Sequence, residues 1–357
     1  MMLSSVRKYS RNRLFQFIRR ISETDDARAM ANQTLRGLLH GRPALDSQGR
    51  KLPAAPYTEL GHSLLQTQTS LRSDAIIITA RFRSGSTLLW NLFRQLDDVT
   101  AYYEPFNERR WFDPRSRGNK IDLTHKHIDD YWREYNGLDR LRAFYREEWI
   151  HRNLYMDATF WDPGMKQYVE MLMEAASGRP VLQFNRIDFR LPWFRQHFPH
   201  AKIVHLYRHP RDQWCSSLMD PTCFPASVKM SLFHSHDKFY LMSWAKDLQY
   251  HFPFLNEDVI SHPYQMFYYI WKLSYIFGVR YADYSLSFEN LVSDTEQKLI
   301  ELFRVLNIEK YGLERLKSLV ERPPTERWKD YADDAWFRSH ETLCETVLAE
   351  FWEAMTV

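Results

Sequence analysis

The chain alternates short apolar runs with stretches whose apolar residues recur at helical spacing. Residues 75–79 (Ala-Ile-Ile-Ile-Thr) predict a buried strand. A polar turn follows, and then Leu88, Leu89, Leu92, Phe93 and Leu96 fall on one helical face. Residues 99–107 lean towards strand until Pro105 stops them, and if they form the parallel neighbour of the first strand, Glu104 lies at its C-terminal end. Residues 179–186 and 202–207 read as further buried strands with a helix over 191–198 between them. This strand, helix, strand rhythm predicts an α/β fold with a central parallel sheet flanked by helices. Residues 109–176 look largely helical, whereas 220–263 are irregular and read as an insertion able to cover the site. The longest apolar stretch, 266–279, is shorter than the ~20 residues of a membrane span and is broken by Lys272, so it predicts a buried helix.

The first turn carries the clearest chemistry. Residues 81–87 are rich in small hydroxyl residues and carry two arginines ahead of the single glycine, Gly85. Such a loop lets backbone N–H groups converge on an anion, and the helix behind it adds its unsatisfied donors and positive end. The Walker pattern G-x-x-x-x-G-K-[ST] is absent, since Gly85 is the only glycine there and no Gly-Lys pair follows. At the end of the 202–207 strand stands Arg208, followed by Pro210, Arg211 and, eight residues after Arg208, Ser216. Arginine offers a planar, permanently charged fork suited to phosphate oxygens. Glu104 lies at the edge where open α/β sheets put their ligands, either as a base or as an ion-pair partner of Arg81 or Arg109. The pairs His125-x-His127 and His234-x-His236 lack a third ligand at a recognisable spacing and read as surface or core histidines, with no metal expected.

A length of 357 residues allows one large α/β domain or two smaller ones, and the formal charge of +3 is too small an excess to suggest nucleic acid. Cys215, Cys223 and Cys344 form no C-x-x-C pattern, which predicts free thiols and a reducing, cytoplasmic setting. Residues 1–20 hold six basic residues and no acid, so the N-terminus reads as a solvated basic helix, a membrane-surface helix or a targeting segment. Prolines and polar residues over 40–70 make a loop-rich approach, and the main domain is expected over 71–357, after a basic segment over 1–70.

The run 83–89 (Arg-Ser-Gly-Ser-Thr-Leu-Leu) resembles the 5′-phosphosulfate loop of sulfotransferases that use 3′-phosphoadenosine 5′-phosphosulfate (PAPS). Arg208, Pro210, Arg211 and Ser216 match that family's R-x-P-[KR]-x(4)-S grip on the 3′-phosphate. The resemblance implies a P-loop-like three-layer fold and sulfuryl transfer from PAPS to an acceptor hydroxyl, with an amine as the second choice, and the aromatic richness and the Arg-Ser-Gly-Ser-Thr form of the loop lean toward a carbohydrate or glycolipid acceptor. Donor binding would fall to Arg83, Ser84, Gly85, Ser86, Thr87, Leu88, Arg208 and Ser216. Arg327, Trp328 and Lys329 resemble the family's closing basic-Trp segment, without the glycines that usually precede it. Glu104 would be the base and Arg83, where many members have Lys, the counter-charge. Arg186 falls where the family places polar groups near the acceptor, and residues 284–291, followed by a helix over 295–306, resemble the family's late strand and turn, which looks structural. Membrane contact, if any, would be peripheral and through the basic N-terminus. Unlike in Golgi-type carbohydrate sulfotransferases, no membrane anchor is expected. Two other classes stay open: a P-loop kinase, and a non-catalytic relative that binds the nucleotide or a glycan.

Overall fold

The structure, a computed structural model, describes residues 74–356 apart from 219–223, 234–236 and 325. The basic N-terminus, the 40–70 approach, Cys223 and the His234/His236 pair lie outside the described residues.

Five parallel strands form one sheet: β1 (Ile76–Ala80), β2 (Val99–Tyr103), β3 (Arg179–Phe184), β4 (Lys202–Tyr207) and β5 (Tyr284–Ser287), in the order β2-β3-β1-β4-β5. β1 is central and wholly buried, as a strand covered on both faces requires, and its register sets Ile76 opposite Val181 on one side and Lys202 on the other. β2 is not its neighbour. The runs of β3 and β4 are almost entirely buried and fill both flanks of β1, while β2, half-exposed at Val99 and Thr100, suits an edge.

The predicted buried helix runs over Pro263–Tyr281 and starts with a capping box in which His262 and Gln265 satisfy each other's end of the turn. Gly278 lets it pack against β4, because a Cβ there would come within 2.4 Å of the His205 ring. No helix among the described residues is long and apolar enough to cross a membrane.

The 109–176 stretch departs from its helical pattern. Only Pro163–Ala175 is α-helical, preceded by turns and short 3-10 segments. Left-handed backbone at Arg110, Gly118, His127, Gly137 and Asn153 breaks any continuous helix. Its aromatic residues instead pack into a cluster in which Tyr131 contacts Trp90 and Tyr103, and Trp111 contacts Tyr103 and Tyr131.

Candidate active site

The anion-binding loop, Arg208 and Glu104 each follow directly on the end of a strand. After β1 the chain makes a tight loop in which the Ser84 hydroxyl donates to the Arg81 carbonyl at 2.6 Å. Arg83 (φ 64°) and Gly85 (φ 91°) are both left-handed, and the helix Ser86–Arg94 begins at once. No side chain caps that helix and its first turn holds no acid, so its free N–H groups and positive end meet an anion unopposed. At Gly85 a Cβ would lie 2.2 Å from the Phe288 ring. Gly85→Ala is therefore expected to destabilise the fold by about 2 kcal/mol or more, from left-handed strain plus overlap, and to weaken nucleotide binding. Chemical denaturation and calorimetry would check both, and a variant with wild-type stability and affinity would refute the argument.

The two sequence motifs, far apart in the chain, meet here. Arg208, at the end of β4, donates from Nη1 to the Arg83 carbonyl at 3.2 Å. Arg83 Nε donates to Ser216 Oγ at 3.1 Å from the helix Pro210–Ser217. Arg208 stacks over Phe288 at 5.1 Å, and its Nε is buried without a partner. Burial, and to a lesser degree the nearby charges of Arg83 and Arg327, lower its pKa. A cluster of cations with an unmatched buried donor fits a doubly anionic nucleotide.

Arg211 turns away from this cluster. Its guanidinium pairs with Asp334 and Glu341, each at 2.7 Å, and stacks on Trp328 at 4.7 Å, tying the helix to the C-terminal helix Asp334–Thr356. Trp328 thus packs between Arg211 and Phe337, and Lys329 pairs with Glu326 at 2.6 Å on the surface. Of the Arg327, Trp328 and Lys329 trio, it is Arg327 whose charge is felt at Arg208.

Glu104, left-handed at φ 38°, turns off the end of β2 into the interior. Its Oε2 accepts from Asn107 Nδ2 at 2.6 Å and from Arg186 Nη1 at 3.0 Å, and its Oε1 accepts from Asn185 Nδ2. The expected ion-pair partners are engaged elsewhere: Arg81 contacts Asp188 at 3.5 Å, and Arg109 donates to the Lys120 carbonyl. Tyr103 connects Glu104 to the loop, because its phenol contacts Thr87 Oγ1 at 2.9 Å and is raised by burial and by the Glu104 charge.

The sequence did not single out several of these residues for the site. His125 Nε2 lies 3.3 Å from Thr87 Oγ1, and burial pushes its pKa down to about 4, which leaves the ring neutral at neutral pH. Thr124 and Asp122 reach Arg83 at 3.5 and 3.8 Å. Asn185 and Phe288 were also missed; the only available signal was their place towards the C-terminal end of a predicted strand segment. Among the described residues no group of three or more His, Cys, Asp or Glu is placed to hold a metal. Cys215 and Cys344 are buried free thiols, both pushed up to about 12 mainly by burial.

A parallel sheet with an anion-binding loop after its central strand, and a second cationic grip on the next strand, defines a P-loop-like transferase fold. The chain belongs to the sulfotransferase family: the model described as "Sulfotransferase family" matches residues 75–311. It is a PAPS-dependent sulfotransferase of that family. No curated protein matches the chain. Among solved structures it is similar to sulfotransferase STF9 from Mycobacterium avium, at 12% identity and a TM-score of 0.42, over 91% of this chain and 96% of that one. It is also similar to the sulfotransferase domain of the Synechococcus PCC 7002 olefin synthase, at 17% identity and TM-score 0.32, covering 74% and 82% of the two chains. A third is retinol dehydratase in complex with androsterone and inactive cofactor PAP, at 16% identity and TM-score 0.33, covering 78% and 81%.

Proposed function

We propose that this chain moves the sulfuryl group of PAPS to a hydroxyl of a carbohydrate or glycolipid, with Glu104 as base and Arg83 as counter-charge. One observation carries the donor half: Arg208, Arg83 and Ser216 join in one hydrogen-bonded cluster beside the uncapped N-terminus of the helix Ser86–Arg94. The amides of residues 83–88 would hold the 5′-phosphosulfate, and Arg208 with Ser216 the 3′-phosphate.

In the reaction a bond forms between the acceptor oxygen and sulfur while the bond from sulfur to the bridging phosphate oxygen breaks. Glu104 takes the hydroxyl proton. Arg83 and the loop amides neutralise the charge left on the 5′-phosphate of adenosine 3′,5′-bisphosphate. The Asn107, Arg186 and Asn185 donors fix the orientation of the Glu104 carboxylate.

Calorimetry with adenosine 3′,5′-bisphosphate and with ATP tests the reading against a kinase. The bisphosphate is expected to bind at least tenfold more tightly, since the loop lacks the Gly-Lys pair that holds a triphosphate. Tighter binding of ATP would overturn it. Radiolabelled PAPS offered with sugar, lipid and phenol panels separates an enzyme from a non-catalytic binder.

A further inference from the structure

The stretch 122–131 is fastened to the donor loop and to the helix behind it. Asn91 Nδ2 donates to the His127 carbonyl at 3.3 Å, Arg83 reaches Thr124 and Asp122, and Tyr131 stacks on Tyr103 with ring centres 4.7 Å apart. Between these anchors His125 is engaged at both ring nitrogens. Its Nδ1 lies 2.6 Å from Tyr131 Oη, and its Nε2 lies 3.3 Å from the Oγ1 of Thr87, in the first turn of the helix Ser86–Arg94.

The surroundings decide which nitrogen carries the proton. The Tyr131 oxygen already accepts from the Asp122 amide N–H at 3.1 Å, and because Tyr131 is 3% exposed its own proton needs an acceptor. Among the described residues the acceptor in reach is His125 Nδ1. Burial pushes the imidazole down to about 4 and the phenol up to about 12, so at neutral pH each holds one proton. Tyr131 therefore donates to Nδ1, and the single proton of the ring sits on Nε2 and points at Thr87.

A histidine in the other tautomer would accept the Thr87 proton and use it up. This one donates to Thr87, and the hydroxyl keeps its proton for another partner. Tyr103 Oη, 2.9 Å from Thr87 Oγ1, is able to give or to take. We propose that His125, oriented by Tyr131, is a positioning residue that commits the Thr87 hydroxyl to donating to the phosphosulfate of the bound PAPS. Tyr103 then donates to Thr87, so the hydroxyl is filled on its acceptor side and its proton is left for the ligand. The histidine itself takes no proton in the reaction. As the bond to sulfur breaks, charge grows on the 5′-phosphate, and a hydroxyl aimed beforehand meets it without reorienting. This rests on the sulfuryl-transfer reading and adds to it how one loop hydroxyl is aimed.

The test uses the full chain, radiolabelled PAPS with the best acceptor of the sugar, lipid and phenol panels, and calorimetry of adenosine 3′,5′-bisphosphate. His125→Leu is expected to lower kcat about tenfold, and Tyr131→Phe about threefold, because the ring proton is then shared between both nitrogens. His125→Gln, whose amide N–H stands in for the one on Nε2, should recover most of the rate. In a Thr87→Val background, which lacks the hydroxyl, adding His125→Leu should change kcat by less than about twofold. Bisphosphate affinity within about threefold of wild type in the His125 and Tyr131 variants would show that they fold and that the loss lies in the chemical step. Equal losses in His125→Gln and His125→Leu would make the imidazole a proton carrier, and additive losses with Thr87→Val would give it a role apart from the hydroxyl. Either result overturns the proposal, as would wild-type kcat in His125→Leu or a bisphosphate affinity that falls in step with kcat. Failure of the wild type to bind the bisphosphate, or to transfer sulfate to any acceptor, would overturn the sulfuryl-transfer reading instead.

Discussion

Glu104→Gln is expected to lower sulfuryl transfer by about a thousandfold while affinity for adenosine 3′,5′-bisphosphate stays at the wild-type value. The separation follows from position. The donor grips are Arg208, Ser216 and the loop, whereas Glu104 is held by Asn107, Asn185 and Arg186 at the other flank of β1. Glutamine keeps the shape and removes the proton acceptor. It also turns an NH2 group towards donors, and Asn185 cannot simply flip to receive it, because its Oδ1 already accepts from Gln183 Nε2 at 2.6 Å. Some loss of stability should therefore accompany the variant, and a melting curve together with bisphosphate titration shows how much. Single-turnover transfer from PAPS is the deciding measurement. Retained transfer would remove Glu104 from the chemistry and direct attention to His125, the neutral imidazole beside Thr87.

The contrast between what the amino-acid order revealed and what it concealed has a physical basis. The strands, the 81–87 loop and the Arg208 to Ser216 grip are local patterns: each is encoded within a dozen residues, so periodicity and turn chemistry find them. The order of strands is a long-range property. β3 inserts between β1 and β2, and that insertion alone brings Asn185 and Arg186 to Glu104. Nothing adjacent to Glu104 in the chain announces them. Phe288 is similar. Its turn looked structural, and its part at the site, pressing on Gly85 and stacking under Arg208, exists only once β5 pairs with β4. Arg211 shows the converse: a residue inside a matched motif spends its charge on the C-terminal helix. The 109–176 stretch misled because a pattern that looks helical also suits a packed cluster of turns.

Arg83→Ala is expected to lower turnover about a hundredfold, or roughly 3 kcal/mol of transition-state stabilisation. The guanidinium is already placed by Ser216 Oγ at 3.1 Å, with Thr124 and Asp122 alongside, so little reorganisation precedes the reaction. Backbone strain does not confuse the comparison, since alanine at φ 64° pays much the same left-handed cost as arginine. The loss should fall on kcat more than on the KM for PAPS, because charge on the leaving phosphate grows only as the bond to sulfur breaks. Arg208→Ala gives the opposite signature: its guanidinium is proposed to hold the 3′-phosphate, away from the reacting atoms, so ground-state affinity for the bisphosphate should drop first. Arg83→Lys tests the nature of the contribution, because a point charge would restore part of the rate but lacks the fork that reaches Ser216. Wild-type turnover in Arg83→Ala would leave the loop amides and helix terminus as the sole stabilisers of the departing phosphate.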